Sequence, residues 1–106
     1  MPKYLLEVSY TPEGAKGVLK EGGTKRRDAA RAAMASVGGT LESLYFAFGD
    51  CDVVCIADLP DAASMAAASL SLSASGAVTC RTRVLMTVDE IDAATTKTPA
   101  YTPPGR

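Results

Sequence analysis

Alternation of apolar and polar side chains near the start of the chain predicts the first structural element. Between residues 3 and 10, every second side chain is apolar, namely Tyr4, Leu6, Val8 and Tyr10. This two-residue period is typical of a strand that buries one face and leaves the other face open. We therefore expect the chain to begin with a half-buried β-strand.

A helix with a break in its middle is predicted to follow this strand. Thr11 supplies a hydroxyl cap and Pro12 suits the first helical position. Gly22 and Gly23 interrupt the helical pattern, and two glycines inside a helix cost roughly 2 kcal/mol relative to alanine. We expect a second helical segment, capped by Thr24, to run as far as the next pair of glycines.

The rest of the chain predicts three more strands and two more helices. Residues 51–59 are mostly apolar on both faces, which favours a central strand covered on both sides. The small residues of 62–74 predict a helix opened by Pro60 and Asp61. The predicted strands are 40–48, 51–59 and 77–87, and the last helix starts at Thr87 and ends near Thr96.

The predicted order, βαββαβ with a terminal helix, defines the fold class as α+β. Right-handed crossovers turn this order into a ferredoxin-like domain, a four-stranded antiparallel sheet with helices on one face. We assign residues 1–97 to this domain, and residues 98–106 to an extended, proline-rich C-terminal arm. The face without helices still carries apolar side chains, so we expect a second copy of the chain to cover it.

The composition predicts a thin core and argues against two classes of partner. The chain is 47% hydrophobic, but alanine makes up much of this share, and there are two Phe and no Trp. A net charge of −1 argues against nucleic-acid binding, and no apolar stretch reaches the ~20 residues of a membrane helix. Three cysteines without an export signal predict reduced thiols and a cytoplasmic location.

The stretch from Tyr45 to Val54 is similar to the signature of the GYD-domain family of small bacterial proteins. That signature is a Gly-x-Tyr-Asp turn between the two middle strands, and here it reads Gly49, Asp50, Cys51 and Asp52. Cysteine thus stands where the family has tyrosine, which puts any role of that tyrosine in doubt. Further similarity lies in residues 2–5, 10–14, 19–23, 75–78 and 101–105.

The resemblance implies a fold and an assembly rather than a reaction. The family resembles the dimeric α/β-barrel group, whose ferredoxin-like protomers pair sheet to sheet. We therefore expect a homodimer or a higher homo-oligomer. The resemblance names no cofactor, substrate or activity.

The absence of histidine narrows the possible chemistry. Histidine is the usual partner of a Ser or Cys nucleophile and the commonest metal ligand, so triad hydrolysis and zinc-water chemistry are disfavoured. Within a strand, Cys51 and Cys55 lie about 13 Å apart, too far to share one zinc ion. We expect no metal and no cofactor, and we favour a role other than catalysis.

Three residues around the signature turn are the candidates for catalysis, if there is any. Asp50 or Asp52 could serve as a general base, with Tyr45 at the edge of the same cavity. The structural alternative, which we favour, is that Asp50 shapes the turn and Asp52 caps backbone N–H groups or pairs with an arginine. In that alternative Tyr45 is a packing residue.

Two basic clusters are candidates for binding a small anion. Lys25, Arg26 and Arg27 follow the glycine pair at a predicted helix start, where free N–H groups favour anions. The alternative is a solvated basic face paired with Asp28. The spacing is not that of a P-loop, so nucleotide binding has little support.

The second cluster lies on the last strand. Arg81 and Arg83 share one face of that strand, and we expect Glu7 to lie across the sheet from them. They could hold a carboxylate ligand in a cleft between subunits. The alternative is a set of ion pairs between subunits that involves Glu7 or Glu42.

Three functional hypotheses follow from these residues. The first is an oligomeric domain that is not catalytic, or that binds a small ligand, such as an anion, at a subunit cleft. The second is a cofactor-independent isomerase or monooxygenase similar to enzymes of the dimeric α/β-barrel type, and it depends on fold analogy alone. The third is a structural assembly protein whose C-terminal arm wraps over a neighbour.

Overall fold

The computed structural model describes residues 1–106 and has the predicted order of elements. Four strands and four helices alternate as strand, two helices, two strands, helix, strand and helix. Their bounds are β1 Lys3–Tyr10, α1 Pro12–Glu21, α2 Gly23–Ser36, β2 Thr40–Phe46, β3 Val53–Asp58, α3 Ala62–Ala74, β4 Val78–Leu85 and α4 Val88–Thr95.

The four strands form one antiparallel sheet in the order β2-β3-β1-β4. This arrangement confirms the predicted α+β, ferredoxin-like fold. β3 lies inside the sheet, as its apolar sequence predicted. β1, the first strand of the chain, is also internal and pairs with both β3 and β4.

Local sequence sets the helix boundaries. The Thr11 hydroxyl accepts a hydrogen bond from the Gly14 backbone N–H at 3.2 Å, which caps α1 as predicted. The predicted break is real, because Gly22 has a φ of 82° and ends α1. The prediction that Thr24 caps α2 is wrong. The turn at Gly22 is so sharp that α2 begins at Gly23, without a side-chain cap.

The connection between the two middle strands is longer than predicted. β2 ends at Phe46 and β3 begins at Val53, whereas the sequence pattern predicted strands over 40–48 and 51–59. Residues 47–52 form a separate loop, and the φ of 141° at Gly49 is one that residues with a side chain rarely adopt. β4 is also shorter than the predicted 77–87.

The core lies between the sheet and the helices, and it is thin. Only 11 of the 106 residues are buried, and Leu6, Met34 and Leu59 are the largest that are fully enclosed. A cavity of ≈ 80 Å³ remains between α2 and the sheet, where α2 presents Ala30 and Ala33. The alanine-rich composition predicted this shortage of buried side-chain volume.

The opposite side of the sheet carries no helix, and we call it the open face. Strand pairing places its side chains in rows across the sheet, such as Tyr45, Val54, Glu7 and Arg81. The next row consists of Ser43, Ile56, Leu5 and Arg83. The open face thus combines half-buried aliphatic side chains at its centre with charged side chains on β4.

The C-terminal segment stands apart from this body. Every residue from Met86 to Arg106 is exposed, including all of α4. The molecule measures 57 × 32 × 22 Å, and its radius of gyration is 16.9 Å. A compact chain of this length would have a radius of about 13 Å. The excess reflects a segment that packs against little of the rest of the chain.

Candidate functional site

A polar cavity lies on the open face where β1 and β4 meet the loop between β2 and β3. The register pairs Glu7 with Arg81 and Ser9 with Thr79, so the two strands bring these four side chains together. The loop adds residues from the signature turn. The cavity has a volume of ≈ 340 Å³, and its lining consists of Glu7, Ser9, Asp50, Cys51, Thr79, Cys80 and Arg81. We call it the sheet-face cavity.

The carboxylate of Glu7 is the least satisfied polar group of this cavity. Its Oε1 atom is shielded from solvent and has no hydrogen-bond partner. An Arg83 guanidinium nitrogen lies 3.2 Å from the same atom, close enough for an ion pair but without hydrogen-bond geometry. This oxygen of Glu7 is therefore held by an ion pair alone, and a buried polar atom without a hydrogen bond costs free energy.

Arg81 supplies the positive charge of the cavity. No carboxylate lies within ion-pair distance of its guanidinium group. The lining therefore combines one free cation, Arg81, with the carboxylates of Glu7 and Asp50. This charge pattern suits a ligand that carries both an anionic group and hydrogen-bond donors better than it suits a simple anion.

Intrachain ion pairs account for the other charges on the open face. Glu7 pairs with Arg83, and Lys3 pairs with Asp58 at 2.9 Å and with Glu42 at 3.3 Å. The hydrogen bonds to Asp58 and Glu42 raise the pKa of Lys3. Glu7 and Glu42, which the sequence suggested as partners between subunits, thus have partners within one chain.

Asp52 takes the structural role that the sequence favoured. Its Oδ2 atom accepts a hydrogen bond from the Tyr10 backbone N–H at 2.8 Å. The Asp52 backbone donates to the Val8 carbonyl and accepts from the Ala47 N–H, both at 2.8 Å. Asp52 therefore extends the pairing of β1 beyond the first residue of β3, and its carboxylate points away from the sheet-face cavity.

The three catalytic candidates do not come together. Asp50 lines the sheet-face cavity, while Asp52 is bound to the backbone of β1. Tyr45 lies on the open face in the same row as Glu7, but it is 72% exposed and does not line the cavity. A general base in the cavity would have to be Asp50 or Glu7.

The basic cluster at the start of α2 is separate from the cavity. Arg26 lies 3.8 Å from Glu21, and Arg27 lies 3.3 Å from Asp28. Arg26 also borders the core cavity beneath α2, on the helix side of the sheet. Two of the three cations are thus paired, and the anion site predicted there does not join Arg81 and Glu7.

Sequence reasoning missed three residues of the cavity. Ser9, Thr79 and Cys80 line it, but none of them was a candidate. The signal for Ser9 was present, since it follows Glu7 on the same face of the first strand. Cys80 belongs to the helix-facing side of β4, so its contact with the cavity could not be read from strand alternation.

Two further observations bear on the chemistry. None of the helices has the length and apolar character that would let it cross a bilayer. No group of three or more Cys, Asp or Glu side chains is placed to hold a metal ion. The buried Cys55 thiol is a core residue, and its burial raises its pKa to about 11.

The comparison with known families decides the classification. A family model described as the GYD domain matches residues 4–95, which is most of the chain. The chain belongs to the GYD-domain family. No curated protein and no solved structure matches it. The match confirms the family that the signature residues suggested.

The signature turn of this GYD domain divides into structural and cavity-lining positions. Gly49 provides the unusual backbone angle, and Asp52 holds the loop to β1. Between them, Asp50 and Cys51 line the sheet-face cavity. The position at which the chain departs from the expected tyrosine is therefore one that faces the cavity.

Proposed function

We propose that this GYD domain is a homo-oligomeric binding module that holds a small polar ligand in the sheet-face cavity. A single observation carries the proposal: the strand register places Glu7 opposite Arg81 in the lining of one cavity, and the Arg81 guanidinium has no carboxylate within ion-pair distance. A small ligand that pairs with convergent charged groups of this kind gains binding free energy.

The lining selects the chemistry of the ligand. Arg81 suits a carboxylate, which its guanidinium can bind through two parallel hydrogen bonds. Glu7 and Asp50 suit hydroxyl or ammonium donors. The cavity therefore favours a small hydroxy- or amino-carboxylate over a bare anion. A volume of ≈ 340 Å³ lies at the lower end of the range for ligand pockets.

A second copy of the chain covers the open face in this proposal. Leu5, Val54 and Ile56 form a half-buried aliphatic centre on that face, and no helix of the same chain covers them. Because the sheet-face cavity opens on the same side, pairing of two sheets would place it at the subunit boundary.

Calorimetric titration with glycolate, L-serine and L-malate tests the binding role. We expect at least one of these probes to bind, and the Arg81→Gln and Glu7→Gln variants to lose about tenfold or more in affinity. Arg31→Gln, which removes an exposed arginine from α2, is the matched control and should bind like the unaltered protein. The binding proposal fails if none of the probes binds, or if the three variants behave alike.

Sedimentation analysis tests the assembly separately. The Ile56→Lys variant should raise the dissociation constant of the oligomer by about tenfold or more, because it places a charge at the centre of the covered face. A protein that sediments as a monomer at all concentrations would contradict the covering of the open face, whatever the titrations show.

A further inference from the structure

The two edges of the open face carry side chains of complementary character. On β4, Arg81 and Arg83 belong to this face, and Arg81 has no carboxylate within ion-pair distance. On β2, at the opposite edge, Tyr45 is 72% exposed and the side chain of Glu42 is 47% exposed. One edge is therefore cationic, and the other offers an aromatic ring and a carboxylate.

The two edges cannot meet within one chain. Tyr45 and Arg81 belong to the same row of the sheet, but Val54 and Glu7 lie between them. Three strand spacings of about 4.8 Å separate their Cα atoms by roughly 14 Å. Both side chains stand away from the sheet rather than along it. A contact between Tyr45 and Arg81 therefore requires a second chain.

Charge decides how two open faces can pair about a two-fold axis. An axis perpendicular to the strands places β4 over β4 of the partner subunit, so that Arg81 and Arg83 meet the same two arginines. Like-charge repulsion disfavours this arrangement. An axis parallel to the strands places β4 over β2, so that Arg81 meets Tyr45 and Arg83 approaches Glu42. The second arrangement matches the two edges.

The aliphatic centre of the open face favours the same axis. Leu5 of β1 and Ile56 of β3 are neighbours in one row, and an axis between these strands places each over the other residue of the partner subunit. Facing sheets lie about 10 Å apart, and their inner side chains interdigitate. Aligned sheets diverge by about 30°, which displaces facing residues at the edges by only about one residue spacing. Long side chains at the edges therefore remain within reach of each other.

We propose that Tyr45 of the partner subunit packs on the guanidinium of Arg81 and forms one wall of the sheet-face cavity. This inference rests on the proposed function, because Arg81 belongs to the lining of that cavity. An aromatic ring over a guanidinium holds it by cation–π attraction and leaves the N–H groups at its edge free. Tyr45 is then a positioning residue that presents Arg81 to a carboxylate, and each cavity is complete only in the dimer.

A double-mutant cycle measured by sedimentation tests the contact without any ligand. Tyr45→Ala and Arg81→Gln should each raise the dimer dissociation constant by about fivefold or more, and the double variant should exceed the larger single effect by no more than about twofold. Arg83→Gln is the matched control. Glu7 already pairs with that arginine at 3.2 Å, so its effect should multiply with that of Tyr45→Ala. No effect of Tyr45→Ala, or effects of Tyr45→Ala and Arg81→Gln that multiply, would overturn the proposal.

A mixture of the Tyr45→Ala and Arg81→Gln chains tests the role in the cavity. The probe is whichever of glycolate, L-serine and L-malate the unaltered protein binds, and Tyr45→Ala alone should bind it about fivefold or more weakly. Random pairing makes about half of the dimers mixed, and each mixed dimer has one cavity with both residues, so about a quarter of all cavities should regain full affinity. A mixture without recovery would overturn the proposal. If the unaltered protein binds no probe, the binding role fails, while the double-mutant cycle still decides the contact.

Discussion

The two faces of the sheet are built from the same strands but differ in burial and in charge. On the helix side, Leu6 and Cys55 are nearly or fully buried and belong to one apolar cluster. On the open face, the neighbouring residues Leu5 and Ile56 are only half-buried, and the adjoining positions of β4 carry arginines. Alternation along a single strand thus separates a surface that stabilises the monomer from one that the helices of the same chain leave uncovered.

The largest expected effect comes from substituting two neighbouring residues of β1, one on each face of the sheet. Leu6→Ala removes a fully buried side chain and should lower the free energy of unfolding by about 3 kcal/mol. Leu5→Ala should cost less than about 1 kcal/mol in the monomer, since its side chain keeps contact with solvent. Urea denaturation at low and high protein concentration measures both values.

Protein concentration sharpens this first prediction. In the proposed oligomer a second copy covers Leu5, so the cost of Leu5→Ala should grow as the protein concentration rises. The cost of Leu6→Ala should stay constant. Equal costs for the two variants at low concentration would show that the two faces do not differ as described.

A smaller effect is expected in the loop 47–52, which connects β2 and β3. Asp52→Ala removes the acceptor for the Tyr10 N–H and should cost about 2 kcal/mol, because that backbone donor loses its charged partner. Asp52→Asn keeps an acceptor oxygen and should cost about half as much. Asp50→Ala is the matched control in the same loop, with an expected change below about 0.5 kcal/mol. If Asp50→Ala proved the costlier change in thermal unfolding, the structural role would belong to Asp50 instead.

The smallest effect concerns the response of the helix-covered face to alkaline pH. Burial raises the pKa of Cys55 from 9.0 to about 11, so folding favours the neutral thiol. The unfolded chain loses this proton more readily than the folded one, and stability should fall between pH 9 and pH 11. Between pH 9 and pH 10, the free energy of unfolding of Cys55→Ala should fall by about 1 kcal/mol less than that of the unaltered protein. Parallel pH profiles for the two proteins would contradict the burial of this thiol.

The sequence predicted most of the fold because short-range patterns set it. Strand alternation, the hydroxyl and aspartate caps and the glycine break at Gly22 each act within a few residues. The errors lie where tertiary contacts decide. The loop 47–52 is longer than the pattern indicated because the regular pairing of β2 with β3 ends at Phe46 and Val53.

The candidate site was predicted only in part. Glu7, Arg81 and Asp50 were all identified as candidates, but residues 31 to 74 positions apart meet in one cavity only because the strands pair as they do. The separation of Asp52 from Asp50, which are two positions apart, could not be read from their spacing. The basic cluster of Lys25, Arg26 and Arg27 has the composition of an anion site, but none of its members lines the sheet-face cavity.

Local physics therefore accounts for what the sequence alone determined: the elements, their order, the thin alanine-rich core and the family. These properties depend on residue type and on spacing of a few positions. The tertiary structure decided which side chains share the sheet-face cavity, which charges are paired, and which apolar surfaces lack a partner. Those outcomes depend on strand register and on the path of the chain, and both are fixed by contacts between residues far apart in sequence.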